Sequence, residues 1–295
     1  MDTKHITADL IFDAKAQLGE GAIWNHMESK LYWVDIEGRL FNVFDPVTNQ
    51  NRTYNTLKRI GTVVPTNNGQ VLVALEDGIA TIELTDGTIT YKIDTDIHLM
   101  HNKRFNDGKC DHEGRFWVGT HSMSGVREVS ELYCISENFA MEEKVSGVSI
   151  SNGIAWNADG SLMYYIDTPT GQVVQYDFDR QTGAIANKKV IITIPEEQGY
   201  PDGMTIDNEG MLWIALWDGF CVARFDPQTG EMIHKVAVPA PKVSSCAFGG
   251  DNLDTLYITT ARAEMTEEEL ELYPLSGGVF AVKTDAKGMP AHYFK

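Results

Sequence analysis

Four short stretches of the chain set an oxygen-bearing side chain next to a glycine or one residue from it. They are Gly19-Glu20-Gly21-Ala22, Phe105-Asn106-Asp107-Gly108, Ser151-Asn152-Gly153-Ile154 and Pro201-Asp202-Gly203-Met204. Glu20, Asn106, Asn152 and Asp202 each stand 11 or 12 residues before an aromatic in a strand-like run, and Ser245 stands in the same relation to Tyr257. A repeat that carries a polar residue to one structural place builds a ring of oxygen ligands. Two carboxylates and two amides converging there suit a hard cation such as Ca²⁺, Mg²⁺ or Mn²⁺. Zn²⁺ could also bind, although no histidine falls in this register. An incomplete protein shell leaves coordination positions for water and substrate, as a catalytic metal requires. Asn-Gly and Asp-Gly are also ordinary turn dipeptides. Turn chemistry explains any one of these motifs but not four in one register.

The elements that must position these residues are short strands. Runs rich in Val, Ile, Tyr, Trp and Thr alternate with Gly, Asp, Asn and Pro turns, and no long amphipathic helix is readable. The strongest runs centre on Tyr32, Leu72, Trp117, Tyr164, Trp213 and Tyr257, at steps of 40 to 49 residues. A repeat of roughly 45 residues is the period of a propeller blade. Each unit carries a turn before its anchor and a further strand and turn after it, enough for four strands. An antiparallel sandwich also has many short strands but does not predict six evenly spaced units. The expected fold is therefore all-β, a six-bladed β-propeller occupying residues 1–295 as one domain. The segment from Ile6 to Phe12 is expected to close the ring by completing the C-terminal blade. With the anchors on second strands, Glu20, Asn106, Asn152, Asp202 and Ser245 begin the innermost strands at one channel mouth. The second unit offers only Thr62.

Bulk properties exclude several classes. The 295 residues can bury a sizeable core, and 43% hydrophobic with 22% charged residues is an ordinary globular composition. With 42 acidic against 24 basic residues the net charge is −18, which argues against a nucleic acid partner. No apolar run approaches the roughly 18 residues of a membrane span, and the N-terminus lacks the apolar core of a secretory signal. Cys110, Cys134, Cys221 and Cys246 lie far apart without a C-x-x-C pair, as expected of reduced buried thiols in the cytoplasm. Glu267-Glu268-Glu269 with Leu270 and Leu272 predicts a short surface helix. His98 and His101 read as loop residues. The six tryptophans read as mainly core, with Trp24, Trp156 and Trp217 as candidates for a rim.

The motifs together resemble the senescence marker protein (regucalcin), gluconolactonase and lactonase family of six-bladed propellers. The resemblance runs through Leu18-Gly19-Glu20-Gly21-Ala22-Ile23-Trp24, Arg104-Phe105-Asn106-Asp107-Gly108-Lys109, Ser151-Asn152-Gly153-Ile154-Ala155-Trp156, Gly199-Tyr200-Pro201-Asp202-Gly203-Met204 and Ser245-Cys246-Ala247-Phe248-Gly249-Gly250. It implies that Glu20, Asn152 and Asp202 hold one divalent metal, with Ca²⁺ expected first and Zn²⁺, Mn²⁺ or Mg²⁺ able to serve activity. It implies that Arg104 and Asn106 contact substrate, and that Asp202 is both ligand and general base. Relatives hydrolyse lactones, several of them sugar-acid lactones such as gluconolactone. One departure bears on substrate choice. Sugar-lactone members carry an acidic pair after the third-blade strand, where this chain reads Gly119-Thr120-His121-Ser122-Met123-Ser124. His121, with Ser122 or Ser124, could take that place.

The expected activity is metal-assisted hydrolysis of a small-molecule lactone, with Asp202 taking the proton of the attacking water and Arg104 and Asn106 fixing the ring. No G-x-S-x-G elbow supports a serine hydrolase. Two alternatives remain: a non-enzymatic calcium- or partner-binding propeller, since fold does not fix function, and a metal-dependent hydrolase of another ester or phosphoester. The protein is expected to act as a monomer or weak homo-oligomer without nucleic acid or membrane.

Overall fold

The computed structural model describes residues 5–295; residues 1–4, the start of the N-terminal stretch, lie outside it. Six four-stranded antiparallel units follow one another around a central channel, and the chain is a six-bladed β-propeller. Their innermost strands are Gly19–Asn25, Ile60–Pro65, Lys103–Cys110, Ser151–Trp156, Tyr200–Ile206 and Val243–Gly249. All six anchors fall on second strands, so the register that predicts which residues begin the inner strands is the observed one. Apolar and aromatic residues of the second strands, Trp33, Phe116, Val118 and Ile214 among them, are buried in apolar clusters. Each of the five apolar clusters spans neighbouring blades, so the core is a ring of interfaces.

Ring closure differs in detail from the expected pairing. Asp9–Phe12 completes the sixth blade antiparallel to Val279–Lys283, as expected. Ile6 does not join it. His5–Thr7 pairs instead in parallel with Met232–Ala237 and adds a fifth strand to the fifth blade. One N-terminal segment thus covers two sheet edges. The far end of the channel is crossed by the C-terminal tail, where Gly288 bridges Asp207, the Tyr293 hydroxyl donates to Asn25 Oδ1 at 2.6 Å, and Phe294 bridges Thr66. Beneath the tail lies a cavity of about 80 Å³, with Trp24, Trp156 and Phe248 among its lining residues. Trp24 and Trp156 are therefore core residues rather than rim residues.

Two blades share a buried polar latch. Asp111 accepts from Trp117 Nε1 and Arg115 Nε, and Asp207 accepts from Trp213 Nε1 at 2.9 Å and Arg224 Nε at 2.7 Å. Each joins the turn before the second strand to an aromatic of that strand. Removing one member of a buried charge pair leaves the other uncompensated. Asp207→Ala is expected to destabilise the protein by about 3 kcal/mol, read from its denaturant midpoint; a loss under about 1 kcal/mol would show the latch to be idle. The acidic run forms the helix Glu267–Leu272, capped by Thr266 and Glu269.

Candidate functional site

All six innermost strands slip register against their second strands near their start. The slips leave Asn106 and Asp107, Asn152 and Gly153, and Asp202 and Gly203 without ladder partners, and one falls directly after Glu20. A bulge re-aims side chains that a regular pleat would send into the blade. The glycines serve the inner strands' mutual approach more than access for a ligand. A Cβ on Gly153 would lie 2.6 Å from Met204 Cβ, and one on Gly203 would lie 2.8 Å from Ser244 O. Gly21 in addition adopts φ of +60°, a conformation glycine takes without penalty.

Glu20, Arg104, Asn106, His121, Asn152 and Asp202 all line one cavity of about 870 Å³ at this mouth. These six residues, named from the sequence as ligands, substrate contacts or base, are thus in one place, whereas Ser122 and Ser124 do not line the cavity and each donates to His101 O at 2.9 Å. Ser245 and Thr62 are not among its lining residues. Ser245 Oγ accepts from Ala22 N at 3.2 Å and Thr62 Oγ1 donates to Gly108 O at 3.2 Å. These short hydroxyl side chains tie adjacent blades together instead of facing the axis. Trp217 does line the cavity, as a rim residue should, whereas His98 lies at the short helical turn Ile97–Leu99.

A hydrogen-bonded belt orders the floor. Arg104 Nη1 donates to Phe105 O and to Asn106 Oδ1; Asn106 Nδ2 donates to Ser151 O at 2.7 Å and to Asn152 Oδ1 at 3.2 Å. Asn152 Nδ2 donates to Thr168 Oγ1 at 2.8 Å, and Thr168 Oγ1 donates to Pro201 O at 2.8 Å, beside Asp202. With its nitrogen committed to Thr168, Asn152 turns its carbonyl oxygen toward Asn106. Lys103, next to Arg104, is buried and clamps the strand through both Glu131 oxygens at 2.8 Å.

The carboxylates are electrostatically frustrated. Burial and the neighbouring Asp107 push Glu20 up to about 8. Burial, then Glu20 and Asp107, hold Asp202 well above the carboxylate range. Asp202 Oδ1 and Asp107 Oδ2 are buried without a hydrogen-bond partner among the described residues. Buried, mutually repelling carboxylates with an unused oxygen are the donor set a divalent cation reverses, so the residues present fit such an ion. Among the described residues no group of three His, Cys, Asp or Glu side chains could hold a metal. A cation here would rely on Glu20, Asp202, the Asn152 amide and non-protein oxygens. Burial and the Arg104 charge lower His121 to about 4, so its imidazole is neutral near pH 7.

Two contributors escape the sequence reading. Asp107 is the second residue of the Asn106 bulge, and its place in Phe-Asn-Asp-Gly is the signal that could have found it. Thr168 lies in the short turn Thr168–Thr170 after a second strand, where no repeat marks it.

The profile described as the SMP-30/Gluconolactonase/LRE-like region matches residues 18–262. The "Putative sugar lactone lactonase YvrE" of Bacillus subtilis (strain 168) is 39% identical over 276 residues, covering 94% of each chain. Regucalcin of Danio rerio is 35% identical, covering 98% of each chain. A solved structure of luciferin-regenerating enzyme superposes with a TM-score of 0.91 at 32% identity, covering 98% of this chain and 99% of that one.

Proposed function

Since the chain belongs to the SMP-30/gluconolactonase/LRE-like family, whose relatives support lactone hydrolysis, we propose that it is a divalent-metal-dependent lactonase. The observation that carries this reading is the meeting of Glu20, Asp202 and Asn152 on the floor of a cavity walled by Arg104 and Asn106. Glu20, Asn152 and Asp202 are the proposed metal ligands, with Ca²⁺ the first choice and Mn²⁺, Mg²⁺ or Zn²⁺ as alternatives. The substrate is a small lactone, of the sugar-acid class in the first instance. We read residues 1–295 as one propeller domain, acting as a monomer or weak homo-oligomer. A cytoplasmic location is supported by four free, buried cysteines. Among the described residues no helix is long and apolar enough to cross a membrane.

A bound cation would supply Lewis-acid stabilisation of the charge that develops on the lactone carbonyl oxygen and would acidify water. The chain's own residues do the rest. Asp202, through the oxygen that no protein group occupies, takes the proton of the attacking water, a step that contributes about 10²–10⁴-fold. Arg104 and Asn106 hold the lactone ring, which orients its carbonyl for attack. The tail and the tryptophans stand at the far end of the channel, opposite the mouth where these residues meet. The neutral His121 imidazole offers one hydrogen-bond donor and one acceptor at the wall.

Thr168 is a positioning residue in this scheme, acting through Asn152. Thr168→Val keeps the shape but releases the Asn152 amide, and metal affinity is expected to fall about tenfold by calorimetry. An unchanged metal affinity would show that the belt is structural only. The reading itself is tested by lactone hydrolysis before and after metal is stripped. A calcium-binding propeller without activity would take up the metal and turn over no lactone.

A further inference from the structure

Once a dication is placed on Glu20 and Asp202, the charges left around the cavity are unequal. Glu37 is held by Arg59 Nε at 2.9 and 3.0 Å, Asp218 is paired with Lys242 at 2.8 Å, and Glu196 accepts from the Tyr200 hydroxyl. The acids of the cavity thus have partners, apart from the exposed Glu264 on the opposite wall. The third-blade wall is different. Arg104 is buried, its Nη1 is spent on two neutral oxygens, and its Nε has no partner among the described residues. No carboxylate forms an ion pair with Arg104 among the described residues; the acids whose charge favours it are Glu37, already engaged by Arg59, and the two assigned to the metal. Directly across the ladder from Arg104 stands His121, whose Nδ1 is also buried without a partner. Arg127 lines the same cavity from an exposed loop position. The loop of residues 121–124 offers no acid to this wall, and Met123 lines the cavity there.

A buried guanidinium without a counter-charge is costly unless a ligand supplies one. Guanidinium groups match planar carboxylates and phosphates by paired hydrogen bonds. The volume of about 870 Å³ also exceeds what one small lactone ring fills. Resting on the lactonase reading, we infer that this site takes lactones bearing an anionic group, a carboxylate or a phosphate, at the end remote from the ring carbonyl, received by Arg104, His121 and Arg127. A polyhydroxylated neutral lactone has nothing to offer this wall beyond hydroxyls. The chemistry at the carbonyl is that already described: water adds, the ring C–O bond breaks, and the ring oxygen leaves with a proton as a hydroxyl.

The test compares three lactones on one six-carbon skeleton with the metal-loaded enzyme: neutral gluconolactone, the carboxylate-bearing glucarolactone, and 6-phosphogluconolactone. At least one anionic lactone is expected to show kcat/KM about tenfold above the neutral one, mainly through KM, a ratio worth about one charge-assisted hydrogen bond. Whichever anion is favoured identifies the group. Arg127→Gln, an exposed position that leaves folding intact, is expected to lower kcat/KM for the favoured anionic lactone several-fold more than for gluconolactone. Calorimetry with the open-chain products gives a readout independent of turnover: glucarate is expected to bind about tenfold more tightly than gluconate, with the difference reduced in Arg127→Gln. Equal or better turnover of the neutral lactone, together with equal binding of gluconate and glucarate, would overturn the inference while leaving the lactonase reading intact. Preferred glucarate binding without hydrolysis of any lactone would uphold the anionic subsite and sink the lactonase reading.

Discussion

Asp202→Asn is expected to lower kcat by about 10³-fold while the protein keeps its fold. The substitution is nearly isosteric, so the bulge at Asp202 and Gly203 and the contacts of the inner strands survive. An amide can neither accept the proton of the attacking water nor supply a second negative charge for a cation. The buried carboxylate it replaces carries a pKa raised by desolvation and by Glu20 and Asp107, so at pH 8 the metal-free variant is expected to unfold at a higher temperature than metal-free wild type. Loss of turnover with gain of apo stability separates a functional group from a structural one, because a structural carboxylate would cost stability when removed. Turnover within tenfold of wild type would move the base elsewhere.

The second large effect concerns the metal and pH. Glu20 stands near 8 in the folded protein, against an ordinary glutamate value of 4.5. A folded pKa above the unfolded one contributes stability that is fully present below pH 4.5 and is lost as pH rises through about 8. The metal-free protein should therefore weaken steadily across that window as Glu20 is forced to ionise beside Asp202 and Asp107. A divalent cation favours the ionised forms, so its stabilising effect should grow over the same range. At one hundred times its dissociation constant a ligand contributes about 2.7 kcal/mol, which shifts a melting temperature by several degrees in a chain of this size. Melting curves from about pH 5 to 8.5, with chelator and with excess Ca²⁺, check this. The two curves should diverge as pH rises; parallel curves would mean that Glu20 and Asp202 do not share a cation.

The parts of this site that were legible in the sequence are those the repeat carries. Tyr32, Trp117, Tyr164 and Trp213 recur because each blade needs a large side chain on its second strand, and that spacing locates the start of each inner strand. Glu20, Asn106, Asn152 and Asp202 could thus be assembled on one axis before any coordinates. Ser245 and Thr62 fall in the same register but do not line the cavity. Register gives the position along an inner strand, but a short hydroxyl is satisfied by the neighbouring blade's backbone before it reaches the channel. Thr168 was illegible because it lies on a turn outside the repeat and acts through a contact with Pro201 O. The path of the tail and the parallel pairing of Ile6 with Val236 depend on contacts far apart in sequence that no local pattern encodes. His121 is a middle case: the sequence of its loop departs from the family pattern, but its place opposite Arg104 is set by the strand ladder.

The proposed lactonase depends on one divalent ion held by Glu20, Asn152 and Asp202. The direct measurement is lactone turnover by chelator-stripped protein during titration with Ca²⁺, Mn²⁺, Mg²⁺ or Zn²⁺, with metal content measured at each point. Background rates are expected in the stripped protein, with recovery that saturates at one ion per chain. Full turnover by protein shown to hold no metal would contradict that dependence.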